Sequence, residues 1–152
     1  LVGDGSGSSW SRPCGWASVL VIRGVSGQKV FCGSMNAGSS NLSELMAYIQ
    51  ALSWYTDWLS KQDATQKNIH IVTDSQYCQM VGSAGKLPRA NQAWWLALQS
   101  FSSRGLKLHW HWRAREETRF NRFCDRLSRS ARLLIEGSQR NLVNNAENTS
   151  NG

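Results

Sequence analysis

The chain has 152 residues and a formal net charge of +7, with 17 Lys and Arg against 10 Asp and Glu. That length fits one domain whose core needs no covalent staples, and the basic balance points to a polyanionic partner, nucleic acid or an anionic membrane surface. No apolar run approaches the ~20 residues that span a bilayer, and no signal peptide is recognisable.

The four cysteines, Cys14, Cys32, Cys78 and Cys124, are scattered without metal-ligand spacing. They read as small buried hydrophobes in a reducing compartment, so an intracellular, cytoplasmic protein is expected. The chain starts at Leu1 without a Met, three residues ahead of Asp4. A free-standing protein and a piece of a larger polypeptide are both open, and a monomer is the default.

Residues 1–34 read as a three-stranded meander: Leu1 to about Ser6, Cys14 to Arg23, and Gln28 to Gly33. Gly24 to Gly27 supplies a hairpin connection. A loop over 34–41 feeds a long helix, about Asn41 to Ser60, in which Leu45, Met46, Ile49, Leu52 and Leu59 recur at helical spacing. Ser40 or Asn41 can cap it. Glu44 falls in its first turn, where a capping box places an acid, so a cap and helix-dipole role stands beside any chemical one.

The run Ile69-His70-Ile71-Val72-Thr73-Asp74 is a β-branched strand that delivers an Asp at its tip. A helix to about Val81 follows, with Asp74 or Ser75 as N-cap. At the end of a strand in an open α/β sheet a carboxylate points into the crevice where ligands bind. A second amphipathic helix covers about Ala90 to Ser103, stopped by Gly105. Leu106 to Trp112 alternates as a strand. Its His109 and His111 share one face, but no third metal ligand lies nearby in sequence, so solvent- or helix-facing strand positions are the expectation.

The last helix spans about Thr118 to Glu136, with Phe120, Cys124, Leu127, Ala131 and Leu134 as its buried stripe. Asn121 and Asp125 lie four apart on a neighbouring face. Arg115, Arg119, Arg122, Arg126 and Arg129 recur at three- and four-residue steps with few acids between them. A solvated face is the plain reading of such a run. The domain is expected over 1–136, and the Asn-rich polar segment 137–152 is expected to be a disordered tail.

The order β-β-β-α-β-α-α-β-α gives an α/β domain: a mixed five-stranded sheet, an antiparallel meander plus parallel strands, flanked by helices. In this topology the first strand and the strand ending at Thr73 are parallel neighbours. Asp4 and Asp74 then sit side by side, within reach of Glu44 and Asp125. Four carboxylates packed together repel and shift their pKa values upward unless cations neutralise them. Mg²⁺ is the economical answer, because it binds oxygen ligands and substrate phosphate. Two such ions about 4 Å apart support phosphodiester cleavage.

The segments Asp4-Gly5-Ser6, Glu44-Leu45-Met46-Ala47, Thr73-Asp74-Ser75-Gln76-Tyr77 and Asn121-Arg122-Phe123-Cys124-Asp125 resemble, in order, the four signature blocks of type 1 ribonuclease H. The resemblance spans about residues 1–135. It implies a ribonuclease H-like fold and an endonuclease that cuts the RNA strand of an RNA/DNA hybrid with Mg²⁺ or Mn²⁺, two ions. It makes Asp4, Glu44, Asp74 and Asp125 the catalytic, metal-binding quartet. It also implies substrate contacts at Ser39, Ser40, Asn41, Gln76 and Asn91, small polar groups suited to 2′-hydroxyls and phosphates. Helix capping is the plain alternative for Ser39 to Asn41.

Three departures stand out. The family's Gly-His-x-Gly loop is replaced by Arg113-Ala114-Arg115-Glu116-Glu117-Thr118. By count Arg115 or Glu116 takes the His position, Arg115 as a phosphate ligand and Glu116 as an auxiliary metal or proton group, with Asn121 a further auxiliary candidate. Slower turnover or altered metal preference is the expected consequence. Trp10 stands where many members have an Asn near substrate. The basic protrusion some members carry after the Asp74 helix is absent, leaving Gly82 to Pro88, so the grip on the hybrid is expected from elsewhere, such as the Arg face of the last helix, a partner domain or a separate binding module. Two other readings compete: a nucleic-acid-binding module on the same fold with weak or no catalysis, and a DNA-acting nuclease of the same fold.

Overall fold

A computed structural model describes residues 1–62 and 66–150. Its elements run β1 (Val2–Ser6), β2 (Cys14–Leu20), β3 (Lys29–Met35), α1 (Ser40–Ser60), β4 (Asn68–Thr73), α2 (Gln76–Ala84), α3 (Gln92–Ser103), β5 (Lys107–Trp112) and α4 (Arg119–Ser150). The five strands form one sheet in the order β3-β2-β1-β4-β5. The meander is antiparallel, whereas β1 pairs with β4 and β4 with β5 in parallel. This is the expected mixed sheet. No helix among the described residues is long and apolar enough to cross a membrane.

Side-chain alternation divides β4 between two faces. Ile69 and Ile71 join Leu45, Tyr48, Leu52, Trp95 and Leu98 in the larger core, beneath α1 and α3. Val72 points the other way, into a smaller cluster of Val2, Ala17, Val19, Cys124, Phe120 and Leu127 beneath α4.

Two glycines set how closely the helices approach the sheet. A Cβ on Gly5 would strike Ser43, the Glu44 backbone and the Ser40 carbonyl, so the first turns of α1 press onto β1 beside Asp4. A Cβ on Gly15 would meet the Ser128 carbonyl and the Arg132 amide. α4 thus crosses β2 almost backbone to backbone.

That close crossing corrects the expected stripe of the last helix. Its fully buried residues are Asn121, Cys124 and Ser128, small or compact enough for the gap, while Leu134 is 75% exposed. α4 also continues to Ser150, beyond the expected end near Glu136, and residues 141–150 are exposed throughout. Residues 151 and 152 of the expected tail lie outside the described residues.

Smaller differences have local causes. α1 is capped by Ser39, whose Oγ accepts from the Leu42 amide, and not by Ser40 or Asn41. α2 is capped by Ser75, whose Oγ accepts from the Cys78 amide. All four cysteines are free; Cys14, Cys78 and Cys124 are buried as expected, but Cys32 is exposed on β3.

Candidate active site

Four segments converge at one end of the sheet. Asp4 lies within β1 and is buried; its Oδ1 accepts from the Gly5 amide at 2.8 Å. Its Oδ2 is buried with no hydrogen-bond partner among the described residues. Asp74 follows the last residue of β4 directly and is held between that strand and the Ser75 cap of α2.

Glu44 is not a capping acid. It is buried on α1, where its Oε1 accepts from the Tyr48 hydroxyl at 2.6 Å and from the Thr73 hydroxyl. Tyr48 stands four residues along the same helix face. Thr73 also accepts from the Ser75 amide at 3.0 Å, so one hydroxyl ties Glu44 to the start of α2. Neither Tyr48 nor Thr73 was singled out from sequence, although Thr73 precedes Asp74 directly and Tyr48 sits at Glu44 plus four.

Asp4, Glu44 and Asp74 each offer a carboxylate oxygen within 4.8 Å of the others. Asp125, on α4, stands at the rim and is joined to them through a cation. Arg115 donates from Nε to Asp74 Oδ2 at 2.7 Å, and its Nη1 lies 3.8 Å from Asp125 Oδ1. Arg129 approaches the other Asp125 oxygen at 3.3 Å.

Burial and crowding act on these acids as electrostatics require. Burial pushes Asp4 up to about 8, with Asp74 and Glu44 adding to the effect, while the Gly5 amide and Arg115 oppose it. Glu44 is raised to about 7, chiefly by burial; the Thr73 and Tyr48 hydrogen bonds pull it back, and Asp74 pushes it further up. Such a cluster binds a cation more readily than it holds its own charge. The unpartnered Asp4 Oδ2 and the all-oxygen donor set fit a hard divalent ion.

The remaining candidates are distributed around this centre. Ser40 and Asn41 are exposed in the first turn of α1, and Ser39 is occupied as its cap. Gln76 is exposed at the first position of α2, two residues after Asp74. Asn91 precedes α3 in left-handed backbone at φ 56°, its Oδ1 buried without a partner among the described residues.

Glu116 is exposed and is not in the three-acid cluster; its carbonyl accepts from Arg122. Asn121 is fully buried one turn before Asp125, with both side-chain amide atoms unpartnered among the described residues. Trp10 is 58% exposed, so it does not cover the core. Arg119, Arg122, Arg126 and Arg129 are exposed along α4.

The RNase H family profile matches residues 1–132. Ribonuclease H of Ehrlichia chaffeensis is 31% identical over 141 residues, covering 84% of this chain and 89% of that protein. Its counterpart from Ehrlichia ruminantium is 30% identical over the same shares. The fold resembles the N-terminal RNase H domain of a Mycobacterium tuberculosis protein, solved as a fusion with maltose-binding protein. The TM-score is 0.72 at 19% identity, covering 91% of this chain and 96% of that one. It also resembles LC11-RNase H1 in complex with an RNA/DNA hybrid, with a TM-score of 0.70 at 16% identity over 88% and 96% of the two chains. With the four signature blocks in order on the expected elements and a family match over nearly the whole domain, the chain belongs to the RNase H family.

Proposed function

We propose that this chain hydrolyses the RNA strand of RNA/DNA hybrids, using Asp4, Glu44, Asp74 and Asp125 to hold two Mg²⁺ or Mn²⁺ ions. The observation that carries the reading is the meeting of three acids from distant segments within 4.8 Å, one of them with a buried, unpartnered oxygen. When bound, such a pair of ions activates a water and stabilises the leaving oxygen of a phosphodiester.

The chain's own groups prepare that site. The Gly5 amide holds one oxygen of Asp4 and leaves the other free for a cation. Tyr48 and Thr73 fix Glu44 in one orientation inside the core, so its carboxylate would hold an ion without rearranging. Asp74 stands on the rigid strand-to-helix junction. Asp125 is the most exposed of the four and is held by two arginines rather than by backbone.

By count Arg115 or Glu116 falls at the position of the family's loop His, and of the two it is Arg115 that reaches the acids. Its guanidinium offers several donors in a fork suited to phosphate, so on release from Asp74 it would hold a phosphate next to the reacting bond. Ser40, Asn41 and Gln76 offer exposed polar groups to the 2′-hydroxyls and phosphates of the hybrid minor groove. Exposed Trp10 offers a stacking surface, and the arginines of α4 supply the salt-sensitive grip on backbone that no basic protrusion provides. That LC11-RNase H1 was solved on a hybrid supports the choice of substrate.

Strand-labelled RNA/DNA hybrid, duplex RNA and duplex DNA, each with Mg²⁺ or Mn²⁺, test the proposal. Cleavage confined to the RNA strand of the hybrid is expected. Binding without cleavage in either metal would instead make the chain a binding module, and cleavage of duplex DNA would make it a DNA nuclease on the same fold.

A further inference from the structure

All three histidines of the chain lie together, away from the acids. His70 on β4 is the parallel register partner of His109 on β5, and His111 follows two residues later on the same face. His70 Nδ1 and His111 Nε2 are 2.9 Å apart. The His70 ring stacks on both neighbours, with centroids 4.9 Å from His109 and 5.2 Å from His111. His109 Nε2 lies 3.0 Å from Asn68 Oδ1.

This is the face of the sheet that α4 covers over β1, β2 and β3. Val72, two residues after His70, packs into the cluster beneath that helix, whereas His70 and His109 are exposed and His111 is half-buried.

Two imidazole nitrogens at 2.9 Å face each other only if one of them carries a proton. A metal ion does the same bridging task with both lone pairs. With Zn–N bonds of about 2.05 Å and tetrahedral angles, the two nitrogens would stand about 3.4 Å apart, a sub-ångström opening of the observed pair. His109, whose Nε2 faces Asn68 Oδ1, would supply a third nitrogen on turning toward that pair.

We propose that His70, His109 and His111 form a site for a borderline transition-metal ion, Zn²⁺, Ni²⁺ or Cu²⁺, on the open face of β4 and β5. Neutral imidazoles without a carboxylate select these ions over Mg²⁺, so the site is chemically separate from the acid cluster. Burial, with the neighbouring His70, Arg113 and His109, lowers the pKa of His111 and favours its neutral, metal-binding form. Such an ion pins β4 to β5 just before the segment where Trp112 Nε1 donates to the Asp74 carbonyl at 3.1 Å and Arg113 to that of Thr73 at 3.0 Å. It therefore stiffens the two strands that present Asp74 and Arg115.

The test is calorimetric titration of the untagged full chain with Ni²⁺ and with Zn²⁺ at pH 7.5, in excess Mg²⁺ to occupy the acids. One ion per chain is expected. Affinity should fall at least about tenfold in His70→Ala and in His111→Ala, since loss of an outer-shell partner alone costs that much. It should be unchanged in Asp74→Asn. Thermal unfolding of each metal-free variant separates a lost ligand from a lost fold, and His70→Ala is expected to match wild type because His70 is exposed. No binding by the wild type, full affinity in His111→Ala, or loss of affinity in Asp74→Asn would each overturn the proposal.

Discussion

Arg115 Nε donates to Asp74 Oδ2 at 2.7 Å, across 41 residues of sequence. This loop cation, one of the two residues that by count fall at the family's His position, is seated against the clustered acids. Its pairing opposes the mutual repulsion of Asp4, Glu44 and Asp74, and it competes with any ion for Asp74.

Arg115→Ala should therefore separate two effects. The metal-free protein should lose no more than about 1 kcal/mol of stability, because the guanidinium is 54% exposed and solvent screens its ion pairs. Affinity for Mn²⁺ should rise several-fold, because a competing cation is gone. Thermal unfolding and Mn²⁺ calorimetry read the two directly. An unchanged or weaker Mn²⁺ affinity would show that Arg115 does not occupy the metal's place.

The raised acids predict a pH dependence of definite sign. Asp4 at about 8 and Glu44 at about 7 are both above their ordinary values of 3.8 and 4.5. Their neutral forms favour the metal-free fold fully below about pH 4, and that contribution is lost as the pH rises through 7 and 8. Metal must displace those protons. Mn²⁺ affinity should climb between pH 6 and 8, and titrations in buffers of different ionisation enthalpy should show proton release at pH 7. Affinity that is flat over this range would contradict the assignment.

Thr73→Val keeps the shape of the residue and removes the hydroxyl that donates to Glu44 and accepts from Ser75. A loss of about 1–3 kcal/mol is expected, the usual effect of stranding a buried partner. The rise of Mn²⁺ affinity with pH should also move to higher pH, because the ionised form of Glu44 loses a donor. Denaturant unfolding gives the first, and pH-dependent calorimetry the second.

Much of this was legible in the residues. The β-branched run through Thr73 and the meander gave the sheet its order, and with it the neighbourhood of Asp4 and Asp74. What escaped depended on distances that local pattern does not carry. Ser39 and Ser40 are equally good N-cap residues, so sequence alone could not choose between them. The capping-box reading of Glu44 failed because Ser39 caps α1, which puts Leu42 and not Glu44 at the third position, and Glu44 turns inward to Tyr48 and Thr73. No third histidine lies near His109 and His111 in sequence, whereas parallel pairing brings His70 beside them from 39 residues upstream of His109. The stripe of α4 was read from hydrophobicity, but the close crossing at Gly15 selects small residues.

The extent of the domain can be measured as well. Beyond Glu136 only Gly137 and Gln139 are half-buried among the described residues, and 141–150 are exposed throughout. Truncation after Glu136 should therefore shift stability by no more than about 0.5 kcal/mol, the range of ordinary surface changes. A large fall in Tm would place the end of the folding unit further along α4.

The most direct measurement is single-turnover cleavage of a hybrid labelled on its RNA strand, wild type against Asp74→Asn, with hybrid affinity measured alongside. The account predicts cleavage by the wild type with either Mg²⁺ or Mn²⁺, a loss of about 10²–10³-fold in the variant, as large as removing one electrostatic group from a catalytic centre, and hybrid binding that is retained. Cleavage by Asp74→Asn at the wild-type rate would contradict it, because the converged carboxylates would then not be the centre of the chemistry.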